Sequence, residues 1–343
     1  MAVPDTSVDS DPSRIDAVSF ERSHLEFSRE HQAPTQVTPP TELACSMGIM
    51  AHNEAANIGR LLEAVISQRL DKVALEEIIV VASGCTDGTE SIVTKWMQRD
   101  ARIRLVVQER REGKASAVNC FLSETHKQIL LLCSADLIPA GDVVEQLVAP
   151  FADPEVKMTA CRPMPVNDPR TFMGFAAHLL WNLHHEINLI DFKAGELIAF
   201  RKIVDHIPRD TAVDDASIEA IIRGDGHRVR YVGSAVTYNR GPDTIKDFLL
   251  QRRRIYAGHL ALRDSGYRVA TLNAMKILPL MLRKLDWRPR AFIQTWAVVA
   301  LEGYGRFLGR RDYKRRHDHS IWQIAKTTKR LVESPESREA AGV

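Results

Sequence analysis

Five short groups of residues carry side chains suited to phosphate, metal or a transferring proton: Asn53-Glu54, Asp87-Gly88-Thr89, Gly113-Lys114, Ser134-Ala135-Asp136 and Asp214-Asp215. Carboxylates accept protons and coordinate hard cations, while lysine meets a phosphate as a point charge. Each group stands where an apolar run gives way to a polar loop or a helix. In an open α/β sheet the carboxyl ends of successive strands face one crevice, so groups distant in sequence are expected to meet there. The result is a pocket lined with carboxylates.

The elements that must position these groups follow from the apolar pattern. Cys45 to Met50 reads as a strand, Ile58, Leu61, Leu62, Val65 and Ile66 recur at helical spacing, and Ile78 to Ala82 is a second strand. The alternation continues with Ile103 to Val107, a helix from about Lys114 to His126, the strand Ile129 to Cys133, and a helix from Asp142 to Phe151. Strands separated by helices of this length imply a Rossmann-like, mostly parallel sheet flanked by helices. Residues 1–40, rich in Ser, Asp and Pro, read as a mobile leader with a weak helical pattern from Phe20 to Phe27. Residues 41–268 then form the α/β domain, and 269–343 a helical, basic annex.

Composition narrows the function classes. A formal charge of +2 in 343 residues argues against a general nucleic-acid binder. The five cysteines, Cys45, Cys85, Cys120, Cys133 and Cys161, are odd in number and lack metal-ligand spacing, which reads as buried thiols in a reducing compartment. The polar, acidic start from Met1 to Arg14 has no apolar signal region, so a cytoplasmic location is expected. No run of 18 apolar residues is present to span a membrane.

The stretches "MAHNEAANIGRLLEAV", "IIVVASGCTDGT", "REGKASAVN", "LLLCSADLIP", "KAGELIAFR", "VDDASIEAIIRGDGHRVRYV" and "QRRRI" occur in one order from Met50 to about Tyr256. In that order they resemble the family-two glycosyltransferases, enzymes of the GT-A fold that transfer a sugar from a nucleotide donor. The resemblance implies an inverting hexosyltransferase using a nucleoside-diphosphate sugar, a UDP-sugar by expectation, with Mg²⁺ or Mn²⁺. The acceptor would be a hydroxyl of a glycan, a glycolipid or another lipid-linked molecule.

It also implies roles. Asp136 would hold the metal, flanked by Ser134 and Ala135 at the donor, although locally it reads equally well as a turn former before Pro139. Asp215 would be the general base beside Asp214, a pair that without context simply caps a helix carrying Ile218, Ile221 and Ile222. Asn53, Glu54 and Asp87 would lie at the base and ribose, with helix capping as the local alternative for Glu54 and Asp87. Arg111 and Lys114 would meet the diphosphate, or else form a solvated basic loop. In the run Gln251 to Arg254, Gln251 and Arg254 share a helix face and would grip the leaving pyrophosphate. Trp181, His184 and His185 read first as core packing and second as acceptor contacts.

The chain departs from the family pattern in three places. Ser134 replaces the first carboxylate of the Asp-x-Asp site, Ser83 replaces one of two adjacent aspartates, and Ile255 stands where processive synthases often have Trp. These losses keep a degenerate, non-catalytic scaffold as an alternative, and a nucleotidyltransferase as a weaker one. In the annex, Ile277 to Leu282 and Ala291 to Leu301 are apolar, with Arg283, Lys284, Arg288, Arg290 and Arg306, Arg310, Arg311, Lys314, Arg315 and Arg316 around them. Such segments suit either the cytoplasmic interface of an anionic membrane or an ordinary helical subdomain or dimer contact.

Overall fold

A computed structural model of the protein describes residues 42–269, 279–280, 286–321 and 326–329. The leader, with the pattern from Phe20 to Phe27, lies outside the described residues, as does the run 277–282 apart from Pro279 and Leu280.

The first half is the expected alternation. β1 (Leu43–Ala51), α1 (Ile58–Ile66), β2 (Val73–Ser83), α2 (Thr89–Met97), β3 (Ile103–Gln108), α3 (Lys114–Glu124) and β4 (Ile129–Ser134) build a parallel sheet in the order β3-β2-β1-β4. Helices cover both faces, so the central strands bury both sides and read as continuous apolar runs. Ile58, Leu61, Leu62 and Val65 bury one side of α1 against one face. Phe121 and Leu122 of α3 pack with Phe200 on the other.

The second half is mixed. β5 (Leu137–Pro139), α4 (Val143–Val148), β6 (Val156–Pro165), α5 (Phe172–Asn188), β7 (Leu197–Arg201), α6 (Asp214–Gly224) and β8 (Arg228–Asn239) extend the sheet as β4-β7-β6-β8-β5. β7 runs antiparallel to both β4 and β6, and β5 antiparallel to β8. The helix read from Asp142 to Phe151 is the shorter α4 followed by a 3₁₀ turn over Ala149–Ala152, because Pro150 has no N–H to continue the α-helical ladder. All five cysteines are free thiols; Cys45, Cys133 and Cys161 are buried as expected, whereas Cys85 and Cys120 are only half-buried.

α7 (Ile245–Asp264) and α8 (Pro289–Lys314) close the fold. They cross at glycine: a Cβ on Gly309 would stand 2.5 Å from the Arg253 carbonyl oxygen. Arg253 then forms a two-pronged bond to Asp312 of α8, at 2.6 and 2.8 Å. The segment Ala291 to Leu301 therefore lies within a helix docked on α7, with Thr295 and Val298 buried. The opposite side exposes Ile293, Trp296, Tyr304 and Phe307. Among the described residues no helix is long and apolar enough to cross a membrane.

Candidate active site

At the carboxyl ends of β1 and β4 a cavity of about 630 Å³ opens, and ten of the twelve residues assigned from sequence line it: Glu54, Arg111, Lys114, Ser134, Ala135, Asp136, Asp214, Asp215, Gln251 and Arg254. The crossover rule for parallel sheets is the cause, since β1, β2 and β4 all end at this edge. The Ala135 N–H bonds the Met50 carbonyl at 3.3 Å, which ties the end of β4 to that of β1.

Asn53 and Asp87 do not line this cavity. Asn53, held at φ 53°, accepts the Thr86 N–H at 2.8 Å. Asp87 accepts the Ala55 N–H at 2.9 Å and the Thr89 hydroxyl at 2.5 Å. Burial works against its charge, but these bonds keep the carboxyl below its ordinary range. The two residues thus clamp the loop after β1 to the loop after β2. Glu54 is buried and accepts the Asn57 amide at 2.9 Å, so the first turn of α1 is braced from within the site. Gly84 at φ 57° serves the same convergence, because a Cβ there would lie 2.5 Å from the Arg111 backbone nitrogen.

Lys114, the first residue of α3, bridges two motifs. Its ammonium gives a hydrogen bond to Ser134 Oγ at 2.9 Å and lies 3.0 Å from Asp214 Oδ2. Burial opposes the charge, yet Asp214 and Asp215 hold the ammonium above its usual range. Asp214 is buried in that ion pair, while Asp215 faces the cavity with its carboxyl pushed up by burial and then by Asp214. The acid pair forms the first turn of α6, where the helix dipole favours negative charge. Of the basic run on α7, Arg254 gives a 2.6 Å bond to the Ala212 carbonyl beside the acid pair, and Gln251 shares its cavity face. Arg252 and Arg253 pair with Glu302 and Asp312 of α8.

Sequence reading passed over Glu196. It directly precedes β7, and β7 is antiparallel to β4 with Leu197 opposite Cys133, so its amino end reaches the edge where the parallel strands finish. A rule that looks only after strands does not find it. Glu196 accepts the Asn239 amide at 3.2 Å, and burial and then Asp136 push its carboxyl up to about 7. Burial likewise raises Asp136, with Lys114 and Arg254 opposing. Each carboxyl feels burial and the charge around it, and both line the cavity. Among the described residues no three His, Cys, Asp or Glu side chains gather as a metal cage. Mg²⁺ and Mn²⁺ suit one or two carboxylates completed by substrate phosphates and water, so Asp136 with Glu196 fits such an ion.

The comparisons agree with this architecture. The sequence model of glycosyl transferase family 2 matches residues 46–221, and the chain belongs to that family. It is similar to the dolichyl-phosphate beta-glucosyltransferase ALG5C of Trichomonas vaginalis, 31% identical over 117 residues, covering 32% of this chain and 34% of that protein. It is also similar to the poly-beta-1,6-N-acetyl-D-glucosamine synthase of Staphylococcus aureus, 24% identical over 231 residues, covering 63% of this chain and 55% of that one. The chain thus spans from about a third to about half the length of these relatives. Among solved structures, the mannosyltransferase PcManGT from Pyrobaculum calidifontis, in complex with GDP-Man and Mn²⁺, shares the fold with a TM-score of 0.58. It is 22% identical, and the match covers 80% of this chain and 88% of that one.

Proposed function

We propose that the protein is an inverting glycosyltransferase that moves a sugar from a nucleoside-diphosphate donor, a UDP-sugar in our reading, to an acceptor hydroxyl by direct displacement. The observation that carries this is the division within the acid pair. Both acids line the cavity, but Lys114 forms its ion pair with Asp214, so Asp215 is the one that meets the acceptor. Asp215 accepts the hydroxyl proton as the acceptor oxygen bonds to the anomeric carbon, and the electron pair of the breaking bond leaves with the diphosphate. Its raised pKa makes it a stronger base than an ordinary carboxylate. One displacement with one base inverts the anomeric carbon, unlike a route through a covalent intermediate.

Lys114, Gln251 and Arg254 meet the charge that grows on the leaving diphosphate. Asp136 and Glu196 would hold Mg²⁺ or Mn²⁺, which supplies Lewis-acid stabilisation of that group. Ser134 brings no charge, and its hydroxyl instead fixes Lys114. The scaffold alternative has only Ser134 and Ser83 in its favour. The test is hydrolysis and transfer with a panel of nucleotide sugars and either metal, reading the product anomer by NMR. Retention of configuration, or no turnover of any donor, ends this reading.

We also place the protein, by the same kind of inference, at the cytoplasmic face of a membrane. The exposed stripe of α8 runs through Ile293, Trp296, Tyr304 and Phe307 to Arg310, Arg311 and Lys314, while its acids Glu302 and Asp312 turn inward to Arg252 and Arg253. An apolar stripe flanked by basic residues and free of carboxylates suits an anionic lipid surface.

A further inference from the structure

Beyond Asp215 the cavity continues into a chamber between α5, α7 and α8, where Lys193, Arg252, Arg306, Glu302, His259 and Trp181 line the wall. Lys193 is placed there by its neighbours. Its own N–H bonds Asn188 at the end of α5 at 2.9 Å, and the next N–H, of Ala194, bonds Glu219 at 2.8 Å, one turn along α6 from Asp215. Arg252 comes from α7 and Arg306 from α8, and both turn to a single carboxylate, Glu302, at 3.5 and 2.9 Å. Of the other acids near Lys193, Glu219 is already bonded to Arg223 at 2.9 Å, and Asp215 stands where the chamber meets the site. Three cations therefore gather around Glu302, with Asp215 at the chamber's entrance, and Trp181 and Val298 add apolar wall.

The field of this chamber is visible in its other groups. His259 is pushed down to about 3, by burial first and then by Lys193, Arg252, Arg306 and Arg254. Lys193 is pushed down to about 8, by burial and then by Arg252, although Asp215, Glu219 and Glu302 pull the other way. Such a chamber is charged against itself and is relieved by an anion.

We infer that the acceptor carries a phosphate, which Lys193, Arg252 and Arg306 bind while its hydroxyl lies at Asp215. A phosphate monoester brings about −1.5 to −2 charges near neutral pH, with several acceptor oxygens for three donors. This rests on the glycosyltransferase reading for the role of Asp215, but the anion site itself does not. Calorimetry on the full chain with glycerol 3-phosphate, glycerol and acetate tests it, in the presence and absence of saturating UDP and Mn²⁺. Glycerol 3-phosphate is expected to bind in both conditions, glycerol and acetate at least about tenfold more weakly. Lys193→Met and Arg306→Ala should each weaken it by about tenfold and leave UDP affinity unchanged. Circular dichroism checks folding, and Lys193→Arg, which keeps the charge, should restore most of the affinity. The inference is overturned if acetate binds as well as the phosphate, if UDP displaces the phosphate, or if both charge-removing variants bind it normally. Absent UDP binding with intact phosphate binding would instead count against the donor site.

Discussion

Lys114 and Asp214 meet at 3.0 Å across 100 positions of sequence, joining the start of α3 to the start of α6. The contact assigns the two acids of the pair to different tasks: one neutralises a half-buried cation and the other stays available to substrate.

That division predicts unlike effects of like substitutions. Asp215→Asn should lower the chemical rate by about 10²–10⁴ with little change in donor affinity or in folding. Asp214→Asn should instead leave Lys114 buried without its partner and cost about 3 kcal/mol, the low end for a broken buried pair, because Lys114 keeps some exposure. Single-turnover rates and urea denaturation of both variants read the split, and equal rate losses with equal stability would contradict it.

Metal dependence is expected to reside in Asp136 and Glu196. Asp136→Ala should abolish the part of UDP binding that depends on Mn²⁺, and Glu196→Gln should raise the Mn²⁺ concentration needed for half-maximal binding while leaving metal-free UDP affinity alone. Titration calorimetry with and without chelator gives both numbers. Unchanged Mn²⁺ dependence in Glu196→Gln would remove that residue from the site.

The run on α7 should separate in the same way. Arg254→Ala is expected to weaken diphosphate binding by about 1.5–3 kcal/mol, the range for a hydrogen bond to a charged group. Arg253→Ala, whose guanidinium bonds Asp312 of α8, should lower stability with donor affinity intact. A loss of UDP affinity in Arg253→Ala equal to that in Arg254→Ala would mean that the helix, not its faces, matters.

Lys193 predicts a pH effect on folding. Its folded-state pKa, about 8, lies below that of an unfolded lysine, so between the two values the unfolded chain holds more protons and stability rises with pH. Below about 8 the charge is present in the folded chamber and its cost is complete. Lys193→Met should therefore be more stable than the wild type at neutral pH, with the gap closing as pH approaches about 10. Denaturant midpoints across this range measure it, and a gap that widens with pH would show the opposite sign.

The outer stripe of α8 gives a salt-sensitive expectation. The full chain should sediment with phosphatidylserine vesicles and less so in high salt, and Phe307→Glu with Ile293→Glu should release it without changing UDP affinity. Sedimentation that survives both substitutions would place the membrane contact elsewhere.

The alternation of apolar strands and amphipathic helices from Cys45 to Cys133 determined the parallel half of the sheet, because short-range periodicity and the handedness of crossovers leave few other arrangements. It also determined that Lys114 and the Ser134-Ala135-Asp136 group would share one pocket, since both follow parallel strands and therefore stand at one edge. Tertiary structure alone decided the rest. The antiparallel entry of β7 put Glu196 at that edge, and strand direction cannot be read from strand composition. Whether a polar residue lines a cavity or clamps its wall depends on where its side chain turns, so Asn53 and Asp87 became braces while Asp215 faces the pocket. The docking of α8 on α7 brought Glu302 and Arg306 to Arg252 from 50 or more positions away, a long-range packing choice that no local pattern in either helix encodes.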